Sequence, residues 1–136
     1  MNQSIKPIPD FNGNAMNTAK LALLELHEGE IYAGAIINPD GTGHHFILLD
    51  GDHEDSDWGA SMAWAKSIGG DLPDLVEQAL LFKHLSDRFK KEWYWSNTQR
   101  SGSSHYAWYQ VFGNGDQDYD RKDYELRARA VRRSPI

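Results

Sequence analysis

Hydrophobic and polar residues alternate in several short runs towards the C-terminus, and this pattern predicts β-strands. In the last of these runs Leu126, Ala128 and Ala130 face one way, and the arginines between them face the other. A period of two is typical of a half-buried strand. The preceding run is apolar on both faces, which predicts a central strand. The three predicted strands span residues 92–97, 105–112 and 126–133.

The N-terminal half of the chain predicts three more strands. Apolar runs at residues 20–26 and 31–38 are separated by the short segment 27–30, which is the arrangement of a hairpin. Pro39 and Gly41 then form a strong turn signal, because proline presets φ and glycine accepts a positive φ. The third strand is predicted at residues 44–49.

Between these groups of strands, apolar residues recur at steps of three and four, which predicts a helix over residues 57–68. The glycine pair at positions 69 and 70 is expected to end this helix. Its apolar face consists of Trp58, Met62, Ala65 and Ile68.

A second helix is predicted after Asp74, which is the expected N-cap, with Glu77 at the spacing of a capping box. Phe89 closes it. Separate groups of strands and helices indicate an α+β fold in which two helices pack on an antiparallel β-sheet. The predicted inner face of the second helix consists of Leu75, Ala79, Phe82 and Leu85.

A chain of 136 residues with 40% hydrophobic content suits one domain with a substantial core. We assign that domain to residues 20–136. Residues 1–19 are polar, contain Pro7, Pro9 and Gly13 and lack periodicity, so we expect a flexible N-terminal arm. The absence of cysteine excludes a disulfide framework, a thiolate metal site and a cysteine nucleophile.

The formal net charge of −6 argues against nucleic-acid binding, which depends on clustered lysine and arginine. No apolar run reaches the ~18 residues of a membrane span. The N-terminus lacks the charged and apolar regions of a signal peptide, so we expect neither membrane insertion nor export. Four arginines near the C-terminus are interpreted as salt-bridge partners of the acidic loops: Arg127, Arg129, Arg132 and Arg133.

Signals for metal binding and catalysis are weak. Residues 50–57 hold five acids around His53, but their spacing matches no EF-hand loop, and a solvated loop is the favoured interpretation. His44 and His45 point to opposite faces of a strand, so we assign them structural roles. Residues 101–105 place hydroxyl groups beside a histidine without an orienting acid. We therefore predict no metal, no cofactor and no enzymatic activity.

Residues 113–125 contain no aliphatic side chain, and a segment with so little to bury is predicted to be a surface excursion. Tyrosine offers a large contact area at low entropy cost, so the segment fits a recognition surface, and it also fits a solvated hairpin tip. Calcium binding by its acids is a further alternative, although Tyr119 stands where an EF-hand requires glycine. The candidate ligand-binding residues are Arg100, His105, Asp116, Asp118, Tyr119, Asp120, Asp123 and Tyr124.

Several motifs in the last third of the chain resemble the closing part of the Lcl-type C-terminal domain family. They are YWSNT, AWYQVFGNG and RARAVR, which begin at Tyr94, Ala107 and Arg127. The chain departs from the family pattern at Asp71, where the family often has arginine, and in its lack of cysteine. The family's tryptophan–alanine helix, glycine pair and Leu-Pro-x-x-x-Glu signature are matched by Trp58, Ala60, Gly69, Gly70, Leu72, Pro73 and Glu77.

The resemblance implies a C-type-lectin-like fold and an origin in a bacteriophage or prophage, where this family of unknown function is frequent. The chain is also similar to the variable lectin-like domains targeted by diversity-generating retroelements. In those domains the positions that match residues 116–124 are exposed and contact the ligand.

We therefore expect a non-catalytic module that binds a host protein or a cell-surface molecule through residues 113–125. The alternative is a cytoplasmic inhibitor of a host enzyme or defence complex that uses residues 50–57. Synthesis in the host cytoplasm fits both hypotheses, and association with the virion and a homo-oligomer remain open.

Overall fold

The structure is a computed structural model, and it describes residues 24–136. In this range the chain forms two α-helices and eight β-strands, which confirms the α+β class. The predicted arm at residues 1–19 lies outside the described residues. The strands are β1 (Ile31–Ile37), β2 (Gly43–Leu48), β3 (His53–Ser56), β4 (Trp93–Gln99), β5 (Tyr106–Val111), β6 (Gln117–Arg121), β7 (Leu126–Ala128) and β8 (Val131–Pro135). The helices are α1 (Trp58–Ser67) and α2 (Leu75–Leu85), and a 3-10 turn (Ser86–Arg88) follows α2.

The described strands form two sheets. The smaller sheet has the order β1-β2-β8, and the larger has the order β3-β7-β4-β5-β6. Neighbouring strands are antiparallel as predicted, with one exception: β4 and β7 run parallel and pair through Tyr94 and Arg127. Because β8 lies beside β2, the last strand closes the fold against one of the first.

The hairpin predicted over residues 20–38 is not found among the described residues. Leu24 and Leu26 form no strand and pack near Ile47, while residues 20–23 lie outside the described range. β1 takes β2 as its partner instead, across the predicted turn in which Gly41 adopts φ 87°. That turn brings β2 directly back against β1, so the prediction of the turn is confirmed, whereas residues 24–26 do not form the strand that the earlier hairpin requires.

The segment at residues 113–125 is not wholly a surface excursion, because residues 117–121 form β6. This strand pairs with β5 from Tyr106↔Arg121 to Gln110↔Gln117. β5 is therefore an interior strand, as predicted, and β6 is an edge of the larger sheet. A polar segment can pair at an edge because its backbone supplies the hydrogen bonds while its side chains remain in contact with water. Residues 50–57 likewise contain a strand, β3, at the opposite edge.

The predicted strand at residues 126–133 is divided into β7 and β8, which belong to different sheets. The break falls at Arg129 and Ala130, where the chain crosses from the larger sheet to the smaller one. Arg129 is buried there, and its guanidinium donates to the carbonyl oxygens of Arg88 and Leu49, each at 2.7 Å. The alternating pattern continues through the crossing, which is why the pattern alone shows no break.

The second helix begins at its predicted cap, and Asp57, predicted as the first residue of the first helix, is instead its N-cap. At the start of α1 the Asp57 carboxylate accepts a hydrogen bond from the Ala60 amide at 2.8 Å, and Gly69 adopts φ 86° beyond the helix end. α2 has a complete capping box, with 2.7 Å from the Glu77 amide to Asp74 and 2.9 Å from the Asp74 amide to Glu77. Neither helix in the described range has the length and apolarity that crossing a bilayer requires.

The inner face of α2 differs from the prediction. Its buried residues are Glu77, Gln78 and Leu81, whereas Ala79 is exposed. Gln78 donates to the carbonyl oxygen of Trp95 in β4 at 3.0 Å. Polar residues can occupy the inner face because the sheet beneath supplies their hydrogen-bond partners, and hydrophobic spacing alone does not reveal such partners.

Two clusters of buried side chains form the core. Tyr94 and Trp95 are adjacent in β4 and therefore point to opposite faces of the larger sheet. Trp95 packs in the cluster with Ala65 of α1, and Tyr94 packs in the cluster with Leu81 of α2. β4 is thus covered on both faces.

Three of the four C-terminal arginines form the predicted ion pairs. Arg129 is the exception, because its partners are carbonyl oxygens. Each paired arginine reaches an acid that is distant in sequence, so these contacts join separate elements. The pairs are Arg127–Asp52 (2.8 Å), Arg132–Glu30 (2.8 Å), Arg133–Asp71 (2.8 Å) and Arg133–Glu77 (2.7 Å).

Candidate functional site

The candidate ligand-binding residues lie along β6 and in the turn between β4 and β5. Arg100 and His105 belong to this turn, and the Arg100 amide donates to the Tyr106 carbonyl oxygen at 2.9 Å. The other six residues follow the edge strand. Asp116 precedes β6, the strand contains Asp118, Tyr119 and Asp120, and Asp123 and Tyr124 come after it.

The register of β5 and β6 distributes these residues over two opposite faces of the sheet. Tyr119 lies opposite Trp108, whereas Asp118 lies opposite Tyr109. Directly opposed residues of an antiparallel pair share a face, and successive residues alternate between faces. Asp120 therefore joins Asp118 on the second face. The predicted set lines both sides of a sheet edge and does not form one continuous loop surface.

The first face carries the Arg100 cluster, which consists of Arg100, Tyr106, Trp108 and Tyr119. The guanidinium carbon of Arg100 lies 4.1 Å from the ring centroid of Tyr119 and 5.9 Å from that of Tyr106. The Tyr119 ring meets the Trp108 ring edge to face, with 5.1 Å between centroids. All four side chains are partly exposed. A cation–π contact at an exposed site contributes about 0.5–1 kcal/mol, so the cluster orders Arg100 against Tyr119.

A concavity beside the Arg100 cluster brings His105 and Asp123 together. Arg121 forms an exposed ion pair with Asp123, and the ammonium of Lys122 lies 4.4 Å from the centroid of an aromatic ring in α1. Tyr124 follows on the next turn and is 47% exposed. The concavity has a volume of about 470 Å³ and is lined by Ser104, His105, Tyr106, Arg121, Lys122 and Asp123.

The second face centres on Trp93, at the start of β4, which the sequence reasoning assigned only to a strand. Its indole stacks on the Tyr109 ring, with 4.8 Å between centroids and 13° between planes, and 44% of the residue is exposed. Burial raises the pKa of the Tyr109 hydroxyl, and the charges of Asp118 and Asp120 raise this pKa further. A concavity of about 410 Å³ here is lined by Trp93, Tyr109, Val111, Asn114, Asp116, Gln117 and Asp118.

One signal in the sequence could have identified Trp93. Trp93 and Trp95 are two residues apart in a strand and therefore share a face. Trp95 is fully buried, whereas Trp93 comes directly after the charged residues 90–92. The aromatic face of β4 therefore extends from the core to the protein surface at Trp93.

The adjacent histidines make separate contacts on opposite sides of β2, which agrees with the predicted structural roles. His44 Nε2 lies 2.7 Å from a carboxylate oxygen of Glu77, and His45 Nδ1 lies 2.8 Å from the Tyr32 hydroxyl. Within residues 24–136, no three His, Cys, Asp or Glu side chains are arranged to hold a metal ion.

The acidic segment at residues 50–57 is only partly a solvated loop. Asp52 accepts hydrogen bonds from the Tyr94 hydroxyl and from Arg127 Nε, the latter at 2.8 Å. Burial and the hydrogen bond to Asp52 together raise the pKa of Tyr94 to about 12. Glu54 and Asp55 are exposed on β3. Asp52 therefore has a structural role, and two of the exposed acids of this segment, Glu54 and Asp55, lie on an edge strand.

A scan against models of protein families and a search of curated proteins both found no match for this chain. The two faces beside β6 and the sequence motifs are therefore the features that bear on the function of this protein.

Proposed function

We propose that this chain is a non-catalytic recognition module of bacteriophage or prophage origin with a C-type-lectin-like fold. Its ligand is a host protein or a cell-surface molecule, which it contacts along the β6 edge. The observation that carries this proposal is the Arg100 cluster, in which Arg100 and partly exposed aromatic rings of the interior strand β5 lie against Tyr119 of the edge strand β6. Aromatic residues and arginine are the types enriched at protein interfaces.

The contacts of the motif residues support the fold part of the proposal. Three of the residues that resemble the family's helix, glycine and Leu-Pro-x-x-x-Glu signatures contact the last third of the chain. These contacts bring the motifs in the middle of the chain next to the motifs in its last third. This is expected if both groups of motifs belong to one fold. The contacts are Trp58 Nε1 to the Ser96 carbonyl oxygen at 2.8 Å, Gly70 against Val131, and Glu77 to Arg133 at 2.7 Å.

The edge position of β6 supports the contact part of the proposal. An edge strand has no neighbour on one side, so a partner that covers it reaches the side chains of both faces. Tyr119 and Asp118 then contact the same partner although they point in opposite directions. Tyrosine supplies contact area, and the aspartates supply orientation and selectivity.

Affinity capture from host lysate, separated into envelope and soluble fractions, tests this function. The baits are the wild type, the double variant Tyr119→Ser/Tyr124→Ser and the control Val76→Ser, which removes an exposed apolar residue from α2. We expect the wild type and the control to capture the same partner and the double variant to lose it. A thermal melt of each bait is needed, because Tyr119 packs on Arg100 and its replacement costs some stability. Capture by a folded double variant would contradict the proposal.

The alternative function, a cytoplasmic inhibitor of a host enzyme or defence complex, is favoured by the exposure of Glu54 and Asp55 on the edge strand β3. If this function is correct, the variant Glu54→Gln/Asp55→Asn is expected to lose a soluble partner in the same affinity capture, while Tyr124→Ser is expected to retain it. Detection of the protein in purified virions would argue against this alternative.

A further inference from the structure

Trp93 is the one exposed tryptophan among the described residues, and it stands between two concavities. The first is the concavity of about 410 Å³ on the Tyr109 side, and the second has a volume of about 290 Å³ and contains Asp55 and Glu125. Tyr109 supports the indole from one side by parallel stacking. A supported ring with a free surface is ordered before any ligand arrives, which lowers the entropy cost of binding.

The side chains around Trp93 are predominantly acidic. Arg127 lies 3.7 Å from Glu92, but it also binds Asp52 at 2.8 Å, so Glu92 is only partly neutralised. The acids that line the two concavities are Asp116 and Asp118 on one side of Trp93, and Asp55, Glu92 and Glu125 on the other. Lys91 is the only lysine or arginine in either lining.

We propose that Trp93 and the surrounding carboxylates form a binding site for a cationic side chain, an arginine or a lysine, of a partner protein. The face of an indole attracts a cation through its quadrupole, and tryptophan is the best aromatic residue for this contact. The carboxylates add long-range attraction and favour a positive segment over a negative one. This inference rests on the proposed recognition function and names the chemistry of the partner.

The charge around Trp93 also decides between ligand classes. An anionic ligand would face five carboxylates at this site, whereas a neutral sugar ring that stacks on the indole could donate hydroxyl hydrogen bonds to them but would gain no attraction between opposite charges. A cationic segment uses both features. The Arg100 cluster on the other face is positive, so the two faces of the β6 edge present opposite charges to one partner.

Titration with a blocked tetra-arginine peptide, followed by the tryptophan indole N–H signals in NMR, tests the inference. The neutral probe is the matching tetra-citrulline peptide, which has nearly the same shape without the charge. Because the chain has five tryptophans, the variant Trp93→Phe identifies the Trp93 signal. We expect the arginine peptide to shift the Trp93 signal most strongly, the citrulline peptide to leave it in place, and added salt to weaken the effect.

Variants then distinguish the contribution of the Trp93 ring to peptide affinity from that of the carboxylates. Isothermal titration calorimetry, which does not depend on the Trp93 signal, measures the affinities. Trp93→Ala is expected to weaken peptide binding about three- to ten-fold, whereas Trp93→Phe keeps most of the affinity because it retains a ring. Asp116→Asn/Asp118→Asn is expected to weaken binding about two- to ten-fold. The control Glu28→Gln/Asp87→Asn removes the same number of exposed acids outside both linings and leaves the affinity unchanged.

Three results would overturn the inference: equal binding of the citrulline peptide, full affinity in Trp93→Ala, or a loss in the control variant as large as that in Asp116→Asn/Asp118→Asn. The titration requires no host partner, so its failure is distinct from failure of the proposed function. A host partner that is lost by Tyr119→Ser/Tyr124→Ser but retained by Trp93→Ala would support recognition at the β6 edge and refute the cation site.

Discussion

Glu77 has more partners than its place in a helix would suggest. Its side chain is fully buried, accepts two hydrogen bonds from Arg133 at 2.7 and 2.8 Å, and lies 2.7 Å from His44. Burial alone would raise the pKa of the Glu77 carboxyl, but the hydrogen bonds from Arg133 and the charge of Arg133 lower this pKa overall. Glu77 is therefore a buried anion that is compensated mainly by one arginine on another element, with further contacts from His44 and the Asp74 amide.

Replacement of Arg133 by methionine should destabilise the protein by about 3–5 kcal/mol, because it leaves the buried Glu77 without its main cationic partner. Chemical denaturation measures the loss. The double variant Glu77→Gln/Arg133→Met should recover part of it, since no buried charge remains. Arg121→Met, which breaks an exposed ion pair, is the control and should shift the midpoint little. A similar loss of stability in Arg133→Met and Arg121→Met would contradict this role of Glu77.

At the scale of the elements, the glycine pair after α1 has two separate functions. Gly69 takes φ 86° and ends the helix, whereas Gly70 allows the chain to pass close to β8. A methyl group on Gly70 would lie 2.6 Å from the Val131 carbonyl oxygen and 2.7 Å from a methyl carbon of Leu49. The Asp71 amide donates to the same Val131 oxygen at 2.8 Å, so β8 and the loop after α1 are held together at this point.

Gly70→Ala should therefore destabilise the protein by about 1–3 kcal/mol, because the backbone of β8 must move to accept the methyl group. Gly113→Ala is a suitable control, since its nearest contact would be 3.9 Å and its φ is not positive. Thermal and denaturant unfolding of the two variants make the comparison. An unchanged Gly70→Ala variant would mean that β8 can move away from this loop at little cost.

At the scale of the whole molecule, the two sheets and the helices are joined by contacts between residues far apart in sequence. The Tyr94 hydroxyl binds Asp52, and Asp52 binds Arg127, so that β4, β7 and the start of the acidic segment share one network. Arg129 spans the crossing between the sheets with its bonds to Arg88 and Leu49. These contacts form only in the assembled fold, so their energies contribute to global unfolding.

The raised pKa of Tyr94 predicts a loss of stability in alkali. A solvent-exposed tyrosine ordinarily has a pKa of 10.0, and Tyr94 in the folded protein has a pKa of about 12. Between these values the unfolded chain releases the Tyr94 proton while the folded protein retains it, so the free energy of unfolding falls as pH rises. Below pH 10 this contribution is constant.

Denaturant unfolding at several pH values from 9 to 12 should show a smaller decline for Tyr94→Phe than for the wild type. Part of the decline should persist in the variant, because burial also raises the pKa of Tyr32 and Tyr109. The exposed Tyr124→Phe is the control and should follow the wild type. If the free energy of unfolding declined with pH equally in the wild type and in Tyr94→Phe, the contribution of Tyr94 would be refuted.

Local features of this protein were predictable from the sequence, for physical reasons. Helix caps depend on residues three or four apart, so Asp74 and Glu77 identified the start of α2, and the apolar periodicity after Asp57 placed α1 to within one residue. The turn before β2 followed from the backbone preferences of proline and glycine, and the interior position of β5 followed from its two apolar faces. The existence of these elements is encoded by interactions within a few residues.

Tertiary structure decided what depends on partners distant in the chain. Backbone pairing at a sheet edge requires no apolar side chains, so the polar strand β6 left no hydrophobic pattern to detect. The register then divided the candidate residues between the Arg100 cluster and the face of Trp93. Residue types alone indicated that this region could recognise a ligand, because aromatic and charged side chains are concentrated there. Which of them share a surface was set by strand pairing, since a side chain's face depends on its register with a neighbouring strand.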